Sequence, residues 1–134
     1  VRDGRIIGRG GNRVIIFRDP TAHAEIIAIG AAAEVTGYER LVDTTMYVTL
    51  EPCPMCAGAI VLARIPFLVY GAADPKAGAV GSIYDICRDG NLNHRVEVTA
   101  GIMAPECSGI LSDFFRSLRE RRNGISTPGL EDIG

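Results

Sequence analysis

A chain of 134 residues, 47% hydrophobic and 22% charged, has the size of one domain and too apolar a composition to be disordered or fibrous. Folding at that length removes about 68–70% of the unfolded chain's surface from water, so a core can stand without disulfide staples. The formal net charge of −2 argues against indiscriminate nucleic-acid binding and leaves room for a local basic surface.

Val1-Arg2-Asp3-Gly4-Arg5 reads as the tail of a strand entering an Asp-Gly hairpin turn, so further chain is expected ahead of Val1. The start carries no apolar signal-peptide core, and no apolar run approaches the ~20 residues of a membrane-spanning helix. A cytoplasmic protein without membrane contact is expected. Arg5 to Gly10 and Asn12 to Phe17 predict extended chain with a bend or bulge at Gly10-Gly11. Thr21 is the expected N-cap of a helix over Ala22 to Val35, which Gly37 ends. Met46 to Leu50 and Phe67 to Gly71 predict buried strands, and Pro52 to Ala63 a helix that Pro66 stops.

Ala72 to Gly81 is a Gly- and Ala-rich loop after a strand end, a place where functional residues concentrate. Ser82 to Cys87 predicts a short helix and Arg95 to Thr99 an outer strand. Leu111, Phe114, Phe115 and Leu118 fall at helical spacing in a last amphipathic helix from Pro105 to about Arg122. Residues 124–134 read as a flexible tail to a single domain, 1–123. Strands alternating with helices predict an α/β chain, a three-layer α/β/α domain.

The chemistry lies in His23-Ala24-Glu25 and in Pro52-Cys53-Pro54-Met55-Cys56. Cysteines three apart in the first turn of a helix sit on one side, and the helix N-terminus favours their thiolates. His23 can add a third ligand, which leaves the fourth tetrahedral position of Zn²⁺ open to water, the catalytic pattern. Glu25 is placed to reach that water and carry its proton. Taken singly, a Cys-x-x-Cys is also a structural-zinc or redox motif, and a histidine on an Ala-rich helix is also structural. The other two cysteines, Cys87 and Cys107, read as buried thiols.

H-x-E followed by P-C-x-x-C is the signature of zinc-dependent nucleobase deaminases. The resemblance runs on through Asp19-Pro20-Thr21-Ala22, Thr49-Leu50-Glu51, Tyr70 to Gly78, Asn93-His94-Arg95 and Phe114-Phe115 with Leu118-Arg119. Over nearly the whole chain to Arg122 it resembles the bacterial tRNA-specific adenosine deaminases. That resemblance implies a cytidine deaminase-like fold with a central mixed sheet, a homodimer with shared active sites, and conversion of the wobble adenosine of an arginine tRNA to inosine. It implies zinc on His23, Cys53 and Cys56, with Glu25 as the catalytic proton shuttle. It further implies nucleotide contacts from Asn12 and Asn93, anticodon-loop contacts from Asp74 and Lys76, and RNA contacts from Phe114 and Arg119. The family's first helix and most of its first strand have no counterpart here, and Ala73 stands where some members carry an acid.

On the residues alone, Asn12 after two glycines reads as a turn former more than a ligand, and Asn93 equally as a loop cap. The arginines of the last helix suit phosphates or simply the helix dipole. Free nucleobase deaminases, those acting on guanine among them, can share both metal motifs. A non-catalytic zinc module would need a fourth protein ligand.

Overall fold

The β-branched and aromatic runs Thr45–Leu50 (β1) and Phe67–Ala72 (β2) pair in parallel, Thr45 opposite Phe67 and Leu50 opposite Ala72. Glu97–Thr99 (β3) joins the other side of β2, also parallel. The structure, a computed structural model, describes residues 1–124, without the side chains of Phe114, Phe115, Leu118 and 121–124. Parallel neighbours need a crossover, and helix α3 (Pro54–Leu62) supplies the one between β1 and β2. Pro54 suits its first turn, where a missing N–H costs nothing.

Alternate strand residues Met46, Val48, Leu68, Tyr70 and Val98 turn to one face of the sheet. There they meet Ile29 and Ala32 of helix α2 (Ala24–Thr36) and Ala57, Ile60 and Val61 of α3. Helix α4 (Ala104–Gly124) packs on β1 and β2. Gly71 lets it approach, since a Cβ there would run into the Cys107 side chain and the Thr49 carbonyl. The expected α/β/α layering is therefore present. Among the described residues no helix is long and apolar enough to cross a membrane.

The expected mixed sheet is reduced to a single residue pair. Val1 and Thr45 exchange both main-chain hydrogen bonds, 2.8 and 2.9 Å, which is the antiparallel pattern. The Asp3-Gly4 turn does form, with both residues at positive φ (51° and 74°) between Arg2 and Arg5, which bond each other. Beyond it the chain leaves the sheet and lies along α2. A Cβ on Gly8 or Gly10 would come within 2.6 Å of the Ala28 or Ala24 carbonyl, so only glycine fits that approach.

Other boundaries differ for local reasons. Val14–Phe17 forms a one-turn helix (α1) instead of extended chain, because Asn12 Oδ1 accepts the Val14 N–H at 3.0 Å. Thr21 does not cap α2. Its N–H and hydroxyl both bond Asp19 Oδ1, and the helix begins two residues later, with His23 at the cap. Gly37 ends α2 as expected, at φ 79° with its N–H on the Ala33 carbonyl. The Ser82–Cys87 helix shrinks to a 3₁₀ turn over Ile86–Arg88, because Ser82 is engaged by Glu51. Cys87 is fully buried, and burial first, then the charge of Asp85, pushes its thiol up to about 11. Cys107, expected buried, is only half-buried, because α4 presents it at the open edge beside Gly71. The expected tail lies outside the described residues except for Gly124 at the end of α4.

Ile60 is 0% exposed at the middle of α3, in a core of closely fitted small side chains. Ile60→Ala should lower stability by about 2–5 kcal/mol, read as a drop in urea midpoint at unchanged slope.

Candidate active site

His23 caps α2 and Cys53 caps α3, each with extended backbone, ψ 156° and 173°. The two helices meet at these N-terminal ends. His23 Nδ1 lies 3.6 Å from Cys53 Sγ and 3.5 Å from Cys56 Sγ, and the three ligand atoms fall within 4.8 Å of one another. Cys56, in the first turn of α3, is fully buried. Its thiol is pushed well above the ordinary range, by burial first and then by the charges of Glu25 and Cys53 and hydrogen bonds to the same two residues.

Two thiols and an imidazole thus crowd one point, with the Glu25 carboxylate near enough for its charge to act on Cys56. A divalent cation such as zinc suits this N/S donor set, and on binding it would deprotonate the Cys56 thiol that burial disfavours as a charge. Glu25, in the first turn of α2, lines a cavity of about 1050 Å³ together with Asn12, His23, Cys53 and Asp74. Apolar Ile29, Met46 and Val48 wall it, and Ile110 and Leu111 of α4 reach its edge. A cavity so large, mostly apolar and with a few converging polar groups, is the form of a small-molecule or base pocket.

The chain matches the family described as MafB19-like deaminase over residues 1–119. It is 51% identical to the tRNA-specific adenosine deaminase of Streptococcus pyogenes serotype M1, over 91% of this chain and 71% of that one. Its identity to the Haemophilus influenzae protein of the same name is 53%, with the same shares covered. A solved structure from a study of A-to-I editing by tRNA:A34 deaminases at the wobble position superposes with TM-score 0.79 at 49% identity, covering 82% of this chain and 80% of that one. The chain belongs to the tRNA-specific adenosine deaminase family. A guanine deaminase from Nitrosomonas europaea stands further off, at TM-score 0.63 and 27% identity over 78% of this chain and 63% of that one.

In this deaminase, five of the residues singled out by sequence share the cavity wall: Asn12, His23, Glu25, Cys53 and Asp74. Cys56 joins them behind the wall through its contact with His23. Asn12 also serves as the turn former that its type suggests, through its bond to Val14. Lys76, Asn93 and Arg119 are not brought to the cavity. Lys76 is exposed on the loop, and Asn93 is exposed beside His94, which bonds the Ile65 carbonyl. Arg119 is exposed on α4, and the Phe114 side chain lies outside the described residues. Arg116 Nη2 bonds Asp113 Oδ1 at 3.0 Å in an exposed pair, so it is partly spoken for.

Sequence reading passed over Glu51, although it stands immediately before Pro52-Cys53. It is 2% exposed. Burial would raise the pKa of its carboxyl, but hydrogen bonds from Ser82, Asp74 and Val80 outweigh that and hold it below the usual value. The available signal was a lone acid at the end of a strand facing a Gly-rich loop. Gly78 is fitted against it, since a Cβ there would strike the Glu51 carboxyl and the Asp74 carbonyl. Gly78→Ala should therefore destabilise the chain by about 1–3 kcal/mol, checked by thermal melting.

Proposed function

We propose that this chain removes the exocyclic amine of the wobble adenosine in the anticodon loop of an arginine tRNA, with water as co-substrate, to give inosine and ammonia. The observation that carries this reading is the His23–Cys53–Cys56 triangle with Glu25 beside it on a large, mostly apolar cavity, in a chain half identical to tRNA-specific adenosine deaminases. His23, Cys53 and Cys56 would hold one zinc ion per subunit. Zinc bound there supplies Lewis acidity, lowering the pKa of water toward about 7.

The remaining work falls to the chain's own residues. Glu25 accepts the proton of the attacking water and delivers it to N1 of the ring, so that C6 can take the hydroxyl. It then takes the proton of the hydroxyl now on C6 and hands it to the departing amine, leaving the C6 carbonyl and ammonia. Asn12 holds the flipped nucleotide at the cavity wall, whereas Asn93, ahead of β3 at the amino end of the sheet, stands away from the cavity and takes no part in holding it. Asp74 and Lys76 meet the anticodon-loop backbone, and Phe114 and Arg119 extend that contact along α4. Flipping costs a few kcal/mol in enzymes of this kind, tRNA deaminases included, and least where the base is already in a loop. A homodimer in the cytoplasm completes the reading. Exposed Leu62, Ile83 and Tyr84 supply apolar surface that a second copy would cover.

A single-turnover assay on an arginine-tRNA anticodon stem-loop, against free guanine, adenosine and cytidine, tests the assignment. Inosine should form in the stem-loop alone. Ammonia from free guanine with none from RNA would move the chain to purine salvage. Glu25→Ala should keep its zinc while turnover falls by about 10²–10⁴-fold, and near-normal turnover would remove Glu25 from the proton path. Cys56→Ala should lose stoichiometric zinc in a metal assay, whereas Cys87→Ala should retain it.

A further inference from the structure

The Glu51 carboxylate has every hydrogen-bonding direction taken. Oε1 accepts from the Asp74 N–H at 3.0 Å and from the Ser82 hydroxyl. Oε2 accepts from the Val80 N–H at 2.9 Å and the Ser82 N–H at 3.1 Å. A carboxylate offers about four acceptor sites, so none remains for substrate or water. The partners flank the two ends of one irregular segment, Asp74 at its start and Val80 and Ser82 at its close. Main-chain bonds run in parallel with them: the Glu51 N–H donates to the Ala72 carbonyl at 2.9 Å, and the Ala79 N–H to the Pro52 carbonyl at 2.8 Å.

We propose that Glu51 is a positioning residue, its buried carboxylate tying both ends of the Asp74–Ser82 loop to the strand end that delivers Cys53. The loop's substrate-facing residues, Asp74 and Lys76, are thereby held at a fixed place relative to the metal ligands. The role of that loop in binding RNA rests on the function proposed above. The clamping itself does not.

Glutamine is the informative replacement. Its single carbonyl oxygen can serve one side of the clamp, and its NH₂ must face N–H donors on the other. Because the Ser82 hydroxyl can turn to accept, the conflict is least when the NH₂ meets the Asp74 N–H. Glu51→Gln should therefore free the Asp74 end first. Lys76, two residues along and exposed, is the only lysine in the chain, so a lysine-specific protease reports on the loop by cutting one bond.

The experiment compares wild type, Glu51→Gln and Ser82→Ala as zinc-loaded protein under native conditions. Three quantities are read: the rate of cleavage after Lys76, zinc per chain, and kcat and KM on the anticodon stem-loop. In Glu51→Gln, cleavage should accelerate and KM rise, each by about tenfold, the equivalent of one unsatisfied buried donor. Its kcat and zinc content should stay near wild type. Ser82→Ala, which loses one donor and keeps the carboxylate, should shift the same way by less, and it decides the matter if Glu51→Gln does not fold. Cleavage rates equal to wild type in the folded variants would overturn the proposal. So would a fall in kcat at constant KM, or loss of zinc, either of which would make Glu51 a support of the metal centre instead. Wild-type protein inactive on the stem-loop would sink the substrate reading alone, and the cleavage comparison would still decide what Glu51 does.

Discussion

The meeting of two helix N-termini, α2 at His23 and α3 at Cys53, is the constraint on which the rest of the structure depends. It follows from the parallel pairing of β1 with β2, which makes α3 a crossover and puts its start at the carboxyl end of β1. Open α/β sheets bind ligands outside that end of their strands. Spacing within α3 then brings Cys56 to the side of Cys53, and the approach of α2 sets His23 Nδ1 3.5 Å from Cys56 Sγ. Gly8 and Gly10 contribute by letting the preceding segment lie against the α2 backbone.

Within six residues, Glu51 and Cys56 show how the same burial has opposite outcomes. Both are almost wholly enclosed. Glu51 is surrounded by N–H and O–H donors, so its charged form is favoured in spite of desolvation. Cys56 has only His23 Nδ1 at 3.5 Å to set against burial and the charges of Glu25 and Cys53, so its charged form is disfavoured. The first is a finished structural anchor. The second is an acid awaiting a cation, and partial charges at two helix ends are too weak to supply it. That contrast separates the clamp from the reactive centre more sharply than their positions in the chain do.

The metal triangle was legible because its signal is local: three ligand types at spacings that two helix starts convert directly into proximity. The strands were legible in place, since β-branched and aromatic runs bounded by Pro and Gly leave little choice, but only β2 is largely buried as expected: β1 is half-buried, with Tyr47 and Thr49 exposed. The start of α2 was misread because Thr21 has an ordinary capping side chain, and nothing in the sequence says that Asp19 will take it. The one-turn helix after Asn12 depends on a single side-chain bond, below what periodicity can resolve. Glu51 was overlooked because its partners lie 23 to 31 residues away, three of the four bonds coming from main-chain N–H groups that carry no sequence identity.

The site is largely preformed in the protein, with consequences for which substrates it can use. His23 and Cys53 are placed by the starts of α2 and α3, Asp74 by Glu51, and the Asp74 carboxylate in turn accepts the Lys76 and Ala77 N–H groups at 3.0 and 3.2 Å. Little ordering is left to be done on binding, so the main cost of assembling the reactive complex falls on the nucleic acid, which must unstack a base and swing it into the cavity. That cost is smallest for a base already unpaired in a tight loop. On the function proposed above, selectivity would come from two separate demands, a purine ring that fits beside Glu25 and a backbone path that meets the loop held by Glu51. A free base can satisfy only the first, whereas an anticodon loop can satisfy both.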